Sequence, residues 1–371
     1  MEIKRLYYLD HLRVVLTALV LLHHTAITYG ADGSWIMKDV PTTELTVTAI
    51  VLTLFTAINQ SFFMGLFFFL SGYFTPKSFD RKGAGAFIKD RLIRLGIPLI
   101  VYVFLLGPFV QYVVNFSGKQ SFLYFYQNEI ISFHSINIGP LWFVEALLLF
   151  SLFYCLYRQF PFVMKRKQVT FPSDKGLLWI AISLGLIAFI VRFFWPTGAG
   201  VLGLQFGYFP SYILLFIAGS VAYRNQWLDS LPLRTVKRWK RVSLIMIPVL
   251  PIILIATGAL DGTMTVSGGF NIQAFSYAMW EPFVCIGICL ALLTSFQQRF
   301  NVSTKLWQKL SESAYTLFII HPLVLVSLSL FLQGYSLEPF LKFIIVGSIA
   351  IFIGFPISYL ICKIPGAKRV L

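Results

Sequence analysis

The sequence predicts an all-α, polytopic integral membrane protein with about ten transmembrane helices and both termini cytoplasmic. Three observations predict it. Of the 371 residues, 57% are hydrophobic and only 12% are charged, roughly half the charged share of a soluble domain. The mean hydropathy is +0.78. Apolar runs recur along the whole chain, each near or above the ~20 residues that a helix needs to cross ~30 Å of hydrocarbon.

The runs can be taken in order. The first, at 12–30, has no small-residue cleavage site after it, so it is expected to remain as a span and not as a cleaved signal. The second, at 45–74, is long enough to tilt or to project from the bilayer. The third, at 92–115, opens after a basic loop. Runs at 139–160, 177–195 and 205–223 follow, and a basic stretch leads into the seventh, at 242–260. The last three lie at 271–296, 313–333 and 338–361. The connections are short, which predicts one integral domain over 1–371 with no soluble appendage. No internal repeat is visible.

Charge sets the expected orientation. The net charge is +15. With the N-terminus inside, the cytoplasmic regions are 1–13, 75–94, 158–176, 224–241, 297–312 and the C-terminal tail. They hold 26 of the 30 Lys and Arg residues, leaving only Lys38, Lys119, Arg192 and Lys342 elsewhere. That is a strong positive-inside asymmetry. The basic excess is therefore explained by topology and by contact with anionic lipid of the bilayer. No nucleic-acid partner is expected. Cys155, Cys285, Cys289 and Cys362 all fall in expected spans. Cys285 and Cys289 are one helical turn apart, which suits packing, and no Cys/His cluster has zinc spacing, so neither a disulfide nor a metal is expected.

Ionisable groups inside spans are functional candidates, because each costs several kcal/mol unless paired or hydrated. The stretch YLDHLRVVLTALVLLHHTAITYG, residues 7–29, carries Arg13, His23 and His24. Arg13 and His24 are eleven residues apart, about 20° from three full helical turns, so they share a face about 16 Å apart. His23 points about 80° away. The plainer alternative is that Arg13 snorkels to headgroups and His24 bonds a neighbouring helix. Ser71-Gly72 marks a close-approach point in the second span. Arg91 and Arg94 stand at i, i+3, expected on one helix face as a forked phosphate site, with Pro98 breaking the helix soon after. Positive-inside charge alone would also place basic residues there. Glu145 lies early in the fourth span, Glu281 about ten residues into the eighth, and His321 within the ninth, the last two each followed by proline. His24, Glu281 and His321 are expected near half depth, around a shared polar cavity. A structural hydrogen-bond network is the alternative.

The chain resembles a known family at this point. LDHLRVVLTALVLLHHTAITYG, FFFLSGYF with the downstream DRLIRLGIPL, GPLWFVEALLL and SAYTLFIIHPLVLV are similar to membrane acyltransferases of the acyltransferase-3 family. Within the family they look most like the glucans biosynthesis protein C-like branch. The family's Arg, ten residues, His pattern fits Arg13 and His24, and its paired-Arg motif fits Arg91 and Arg94. The resemblance implies a multi-pass protein of the bacterial cytoplasmic (plasma) membrane. It implies a short acyl group, acetyl or succinyl, taken from cytoplasmic acyl-CoA (acetyl-CoA or succinyl-CoA). The acceptor would be a hydroxyl on an extracytoplasmic glycan, a lipid-linked sugar or a related metabolite.

On that basis Arg13, Arg91, Arg94 and Ser71 are expected to bind the coenzyme A thioester. His24 would act as general base on the acceptor hydroxyl or relay the acyl group. Glu281 or His321 would orient His24 or bind the acceptor. Trp142 and Glu145 would line the substrate, Trp142 as a wall for the sugar or the thioester. A proton-coupled secondary transporter is the runner-up, because buried Glu and His beside helix-breaking prolines also describe a carrier. The paired arginines are unexplained by transport.

Overall fold

The computed structural model describes all residues except 1–5, 42–45, 116–119, 133–136, 161–167 and 259–264. Among the described residues there is no β-strand, and ten helices are long and apolar enough to cross a bilayer. They are α1 Tyr7–Thr28, α2 Val47–Lys82, α3 Ala84–Val114, α4 Gly139–Tyr157, α5 Asp174–Phe194, α6 Phe206–Arg224, α7 Leu233–Ala256, α8 Ile272–Arg299, α9 Lys305–Gln333 and α10 Pro339–Ile361. Each takes up one of the ten apolar runs.

Several helices reach farther than their runs, because a polar residue does not end a helix; a cap or a left-handed residue does. At about 1.5 Å per residue α2 is about 54 Å long, well beyond the hydrocarbon thickness. It stops at Gly83, whose φ of +74° only glycine adopts without strain. At the other ends, the Ser173, Asn271 and Thr304 side chains accept from Gly176, Ala274 and Trp307 N–H groups and cap α5, α8 and α9.

Helix α3 differs from expectation. It does not break at Pro98. Instead Leu92–Gly96 and Tyr102–Leu106 are π turns, one ahead of Pro98 and one ahead of Pro108. Proline has no N–H for the carbonyl four residues back, and its ring crowds that carbonyl. A widened turn relieves the crowding and lets the helix run on. The Tyr315 hydroxyl donates to the Arg94 carbonyl (2.7 Å) and the Tyr126 hydroxyl to the Phe104 carbonyl (2.8 Å). Each carbonyl lies four residues before a proline, so side chains supply what the backbone lacks.

The described chain falls into two compact units. The first comprises 1–12, 57–88 and 149–303. In it α2 and α6 meet at reciprocal small residues: a Cβ at Gly72 would overlap the Phe216 carbonyl, and one at Gly219 the Phe69 carbonyl. Close backbone approach of this kind is how helices gain contact where lipid offers no hydrophobic driving force. Helices α5, α7 and α8 share a core of Leu177, Ala181, Val236, Trp239 and Leu290.

The second unit comprises 13–56, 89–148 and 304–371. Its core joins α1, α9 and α10 through Leu21, Leu317, Leu325, Val346 and Ala350, all buried. Thr17, Thr25 and Thr28 on α1 donate their hydroxyls to carbonyls one turn back, at 2.9, 2.7 and 3.0 Å. Polar side chains in an apolar layer must be satisfied in this way.

Candidate active site

The second unit brings two of the expected residues together. His24 stands four residues before the end of α1, and His321 stands mid-way along α9. His321 Nε2 lies 3.1 Å from His24 Nδ1, and His321 Nδ1 lies 2.6 Å from the Phe318 carbonyl. The proton positions follow from chemistry. A carbonyl only accepts, so His321 Nδ1 carries the hydrogen and donates. A neutral imidazole has one N–H, which leaves His321 Nε2 as an acceptor. Its partner must donate, so the His24 proton sits on Nδ1. His24 Nε2 is left with a bare lone pair.

The connection after α1 covers this pair. Trp35 stacks on His24, with ring centroids 3.8 Å apart and planes at 17°. His321 lies at 5.1 Å and 12° from His24 and at 5.7 Å and 12° from Trp35. Three rings are thus nearly parallel. His23 meets His24 edge-on, at 88°, as expected for a neighbour on another helix face.

The segment holding Trp35 is anchored along its length. Gly30 turns it with a φ of +119°. The Asp32 N–H donates to Thr53 Oγ1 (3.0 Å) and the Asp39 N–H to the Thr28 carbonyl (2.9 Å). Met37 packs on Val110 and Val326. Lys342 Nζ of α10 pairs with Asp39 Oδ2 at 2.7 Å, and both side chains are buried. Sequence spacing pointed to neither Trp35 nor this pair. The available signal was Lys342 itself, a basic residue in an apolar run on the wrong side of the charge asymmetry.

Arg13, Arg91 and Arg94, also of the second unit, sit in the first half of α1 and α3. Arg13 and Arg94 are exposed and Arg91 is half-buried. Arg94 Nε lies 3.4 Å from Asp90 Oδ1. Arg91 and Arg94 straddle the start of the Leu92–Gly96 π turn. A π turn holds more residues than an α turn, so the two backbone positions differ by a larger angle around the axis than an α-helical i, i+3 pair would. Trp142 and Glu145 fall in the first turn of the α-helical part of α4. Phe143, between them, packs edge-on to Phe318 at 5.7 Å, and Phe318 lies 5.7 Å from the His321 ring. Glu145 Oε2 is buried with no hydrogen-bond partner among the described residues.

Glu281 and Ser71 belong to the first unit. Glu281 pairs with Arg192 Nη2, and the side chains are 6% and 1% exposed. Arg192 Nε donates to the Gly207 carbonyl (3.2 Å), and its guanidinium lies over the rings of Tyr208 and Tyr277 at 5.1 and 5.0 Å. Glu281 is thereby tied into a cage of α5, α6 and α8 side chains. Ser71 lies beside Gly72, where α2 meets α6, and its carbonyl accepts from Thr75 Oγ1 (2.8 Å). All four cysteines are free and buried. Among the described residues no group of three His, Cys, Asp or Glu side chains could hold a metal ion.

Such an arrangement can take a proton from a hydroxyl at His24 Nε2 and share the resulting charge with His321 and the Trp35 face. Comparison with known proteins agrees with group-transfer chemistry. A family model described as an acyltransferase domain matches residues 6–363. Glucans biosynthesis protein C of Salmonella gallinarum (strain 287/91 / NCTC 13346) is 27% identical over 185 residues, 48% of this chain and 45% of that protein. The match thus spans less than half the length of that relative. No solved structure matches. On the family match over nearly its whole length, this chain belongs to the acyltransferase-3 family of membrane acyltransferases.

Proposed function

We propose that this acyltransferase moves a short acyl group, acetyl or succinyl, from cytoplasmic acyl-CoA to a hydroxyl of an extracytoplasmic glycan or lipid-linked sugar in the bacterial plasma membrane. The observation that carries the chemistry is the His24–His321 pair, which leaves a lone pair on His24 Nε2. The acceptor hydroxyl attacks the thioester carbonyl while His24 Nε2 takes its proton. The C–S bond then breaks, and the coenzyme A thiolate recovers the proton from the imidazolium. An ester and the free thiol result, and His24 returns to its starting state.

The donor assignment is supported by Arg91 and Arg94, whose forked guanidiniums suit phosphates, with Arg13 on the same helix as His24. The basic regions would face the cytoplasm, where acyl-CoA is made. The ~16 Å rise from Arg13 to His24 suits the long pantetheine arm. A glycan acceptor draws on the glucans biosynthesis protein named above, and a plasma-membrane site on the ten spans.

Binding can be tested without knowing the acceptor. Coenzyme A at a hundred times its Kd is expected to protect the purified protein against heat unfolding by about 2.7 kcal/mol. Arg91→Ala and Arg94→Ala are expected to lose that protection while unfolding normally without ligand. Arg94→Lys is expected to lose it as well, because lysine lacks the fork. Full protection in all three variants would remove these arginines from the donor site. No protection of the wild type by coenzyme A, acetyl-CoA or succinyl-CoA would contradict the donor assignment.

A further inference from the structure

A proline inside a helix leaves one carbonyl short, because it offers no N–H to the residue four positions before it. Four such carbonyls here have a side-chain donor. Ser220 Oγ serves Gly72, four before Pro76, at 3.1 Å. Tyr315 and Tyr126 serve Arg94 and Phe104, four before Pro98 and Pro108. The fourth is Phe318, four before Pro322, and its partner is the Nδ1 of His321, the residue next to that proline.

The fourth case has a consequence that the others lack. A hydroxyl that donates keeps two lone pairs on the same oxygen, so its donation fixes the proton of no second atom. An imidazole that donates from Nδ1 has only one other nitrogen, and that nitrogen must be an acceptor. Phe318, His321 and Pro322 are all buried in α9, so no solvent competes for the carbonyl. The missing N–H of Pro322 therefore decides which His321 nitrogen is bare, and through the 3.1 Å contact it decides which His24 nitrogen is bare.

We propose that Pro322 is a positioning residue for acyl transfer: by freeing the Phe318 carbonyl it sets the tautomer of His321, which in turn leaves the lone pair on His24 Nε2. The inference rests on His24 as the base. An ordinary residue at 322 would give its N–H to Phe318. His321 would then be free to carry its proton on Nε2, pointing at His24. His24 Nδ1 would become the acceptor, its proton would move to Nε2, and the atom facing substrate could no longer take a proton.

The plain alternative is that Pro322 only bends α9 for packing. Pro322→Ala separates the two, with Pro356→Ala in α10 as the control. Purified proteins in lipid nanodiscs, labelled with nitrogen-15 at their five histidines, report which ring nitrogens carry protons. Wild type is expected to show His321 protonated on Nδ1 and bare on Nε2, and Pro356→Ala the same. Pro322→Ala is expected to unfold no earlier than wild type, since an interior proline is removed. It is expected to lose the uniform Nδ1–H state at His321 and to lose about tenfold or more in kcat, with KM for acyl-CoA within about twofold. A folded Pro322→Ala with His321 still Nδ1–H and full kcat would overturn the proposal. Should that variant not fold, an Nε2–H His321 in the wild type alone would overturn it, and an Nδ1–H His321 would support it. The tautomer needs no substrate to be read. Missing activity with intact tautomers would therefore count against His24 as base, and tautomers unmoved by the substitution against the role of Pro322.

Discussion

At the residue scale, His24 takes its stacked partners, His321 and Trp35, from outside its own helix. Spacing on α1 was enough to place Arg13 and His24 on one face and to turn His23 away, because helical periodicity is local. Spacing could not reveal the partner 297 positions later, nor Trp35, which sits in a connection with no periodicity to read. The Trp35 face matters most once His24 is charged, because an indole attracts an imidazolium more than a neutral ring. Such a contact is worth about 0.5–2 kcal/mol, so Trp35→Leu is expected to lower kcat roughly 2- to 30-fold. Trp35→Phe keeps an aromatic face and is expected to recover much of the loss. The KM for acyl-CoA is expected to stay near wild type in both. Steady-state kinetics checks this; equal kcat in the Leu and Phe variants would leave Trp35 as loop packing only.

At the element scale, proline and buried charge behave differently from their first appearance in the sequence. Pro98 reads as a helix breaker, yet α3 runs on through it after a π turn just ahead, with a tyrosine hydroxyl on the freed carbonyl. A breaker rule counts the lost N–H but does not see a donor from another helix. Glu281 reads as a candidate acid or base, while its partner Arg192, 89 positions away, is silent in any local pattern. A buried ion pair accounts for Glu281 without catalysis. Removing one partner of such a pair costs about 3–5 kcal/mol, whereas replacing both with apolar groups is often neutral. Glu281→Ala is therefore expected to unfold at markedly lower temperature, and Glu281→Leu with Arg192→Met to recover most of the loss. Thermal unfolding decides it. A Glu281→Ala protein as stable as wild type but unable to transfer would return Glu281 to the chemistry.

At the scale of the whole molecule, the ten spans were legible because each is a long apolar run and bilayer thickness sets one length for all of them. Helix ends were less legible, since α2, α7 and α9 extend through polar residues that composition assigns to loops. The charge asymmetry was informative through its exceptions. Of the four basic residues outside the basic regions, Arg192 and Lys342 are buried and ion-paired. Lys38 is exposed, and Lys119 lies outside the described residues. The site was half legible: its histidines stand out as costly groups in apolar runs, but their coupling is a property of the folded second unit. The measurement that bears most directly on the account is the rate of acyl transfer by His24→Ala, in protein shown to be folded and to bind coenzyme A. Losing a general base usually costs about a hundred- to ten-thousand-fold. The account predicts a loss in that range, with coenzyme A still protecting against heat. Transfer at nearly the wild-type rate by a folded, coenzyme A-binding His24→Ala protein would contradict it.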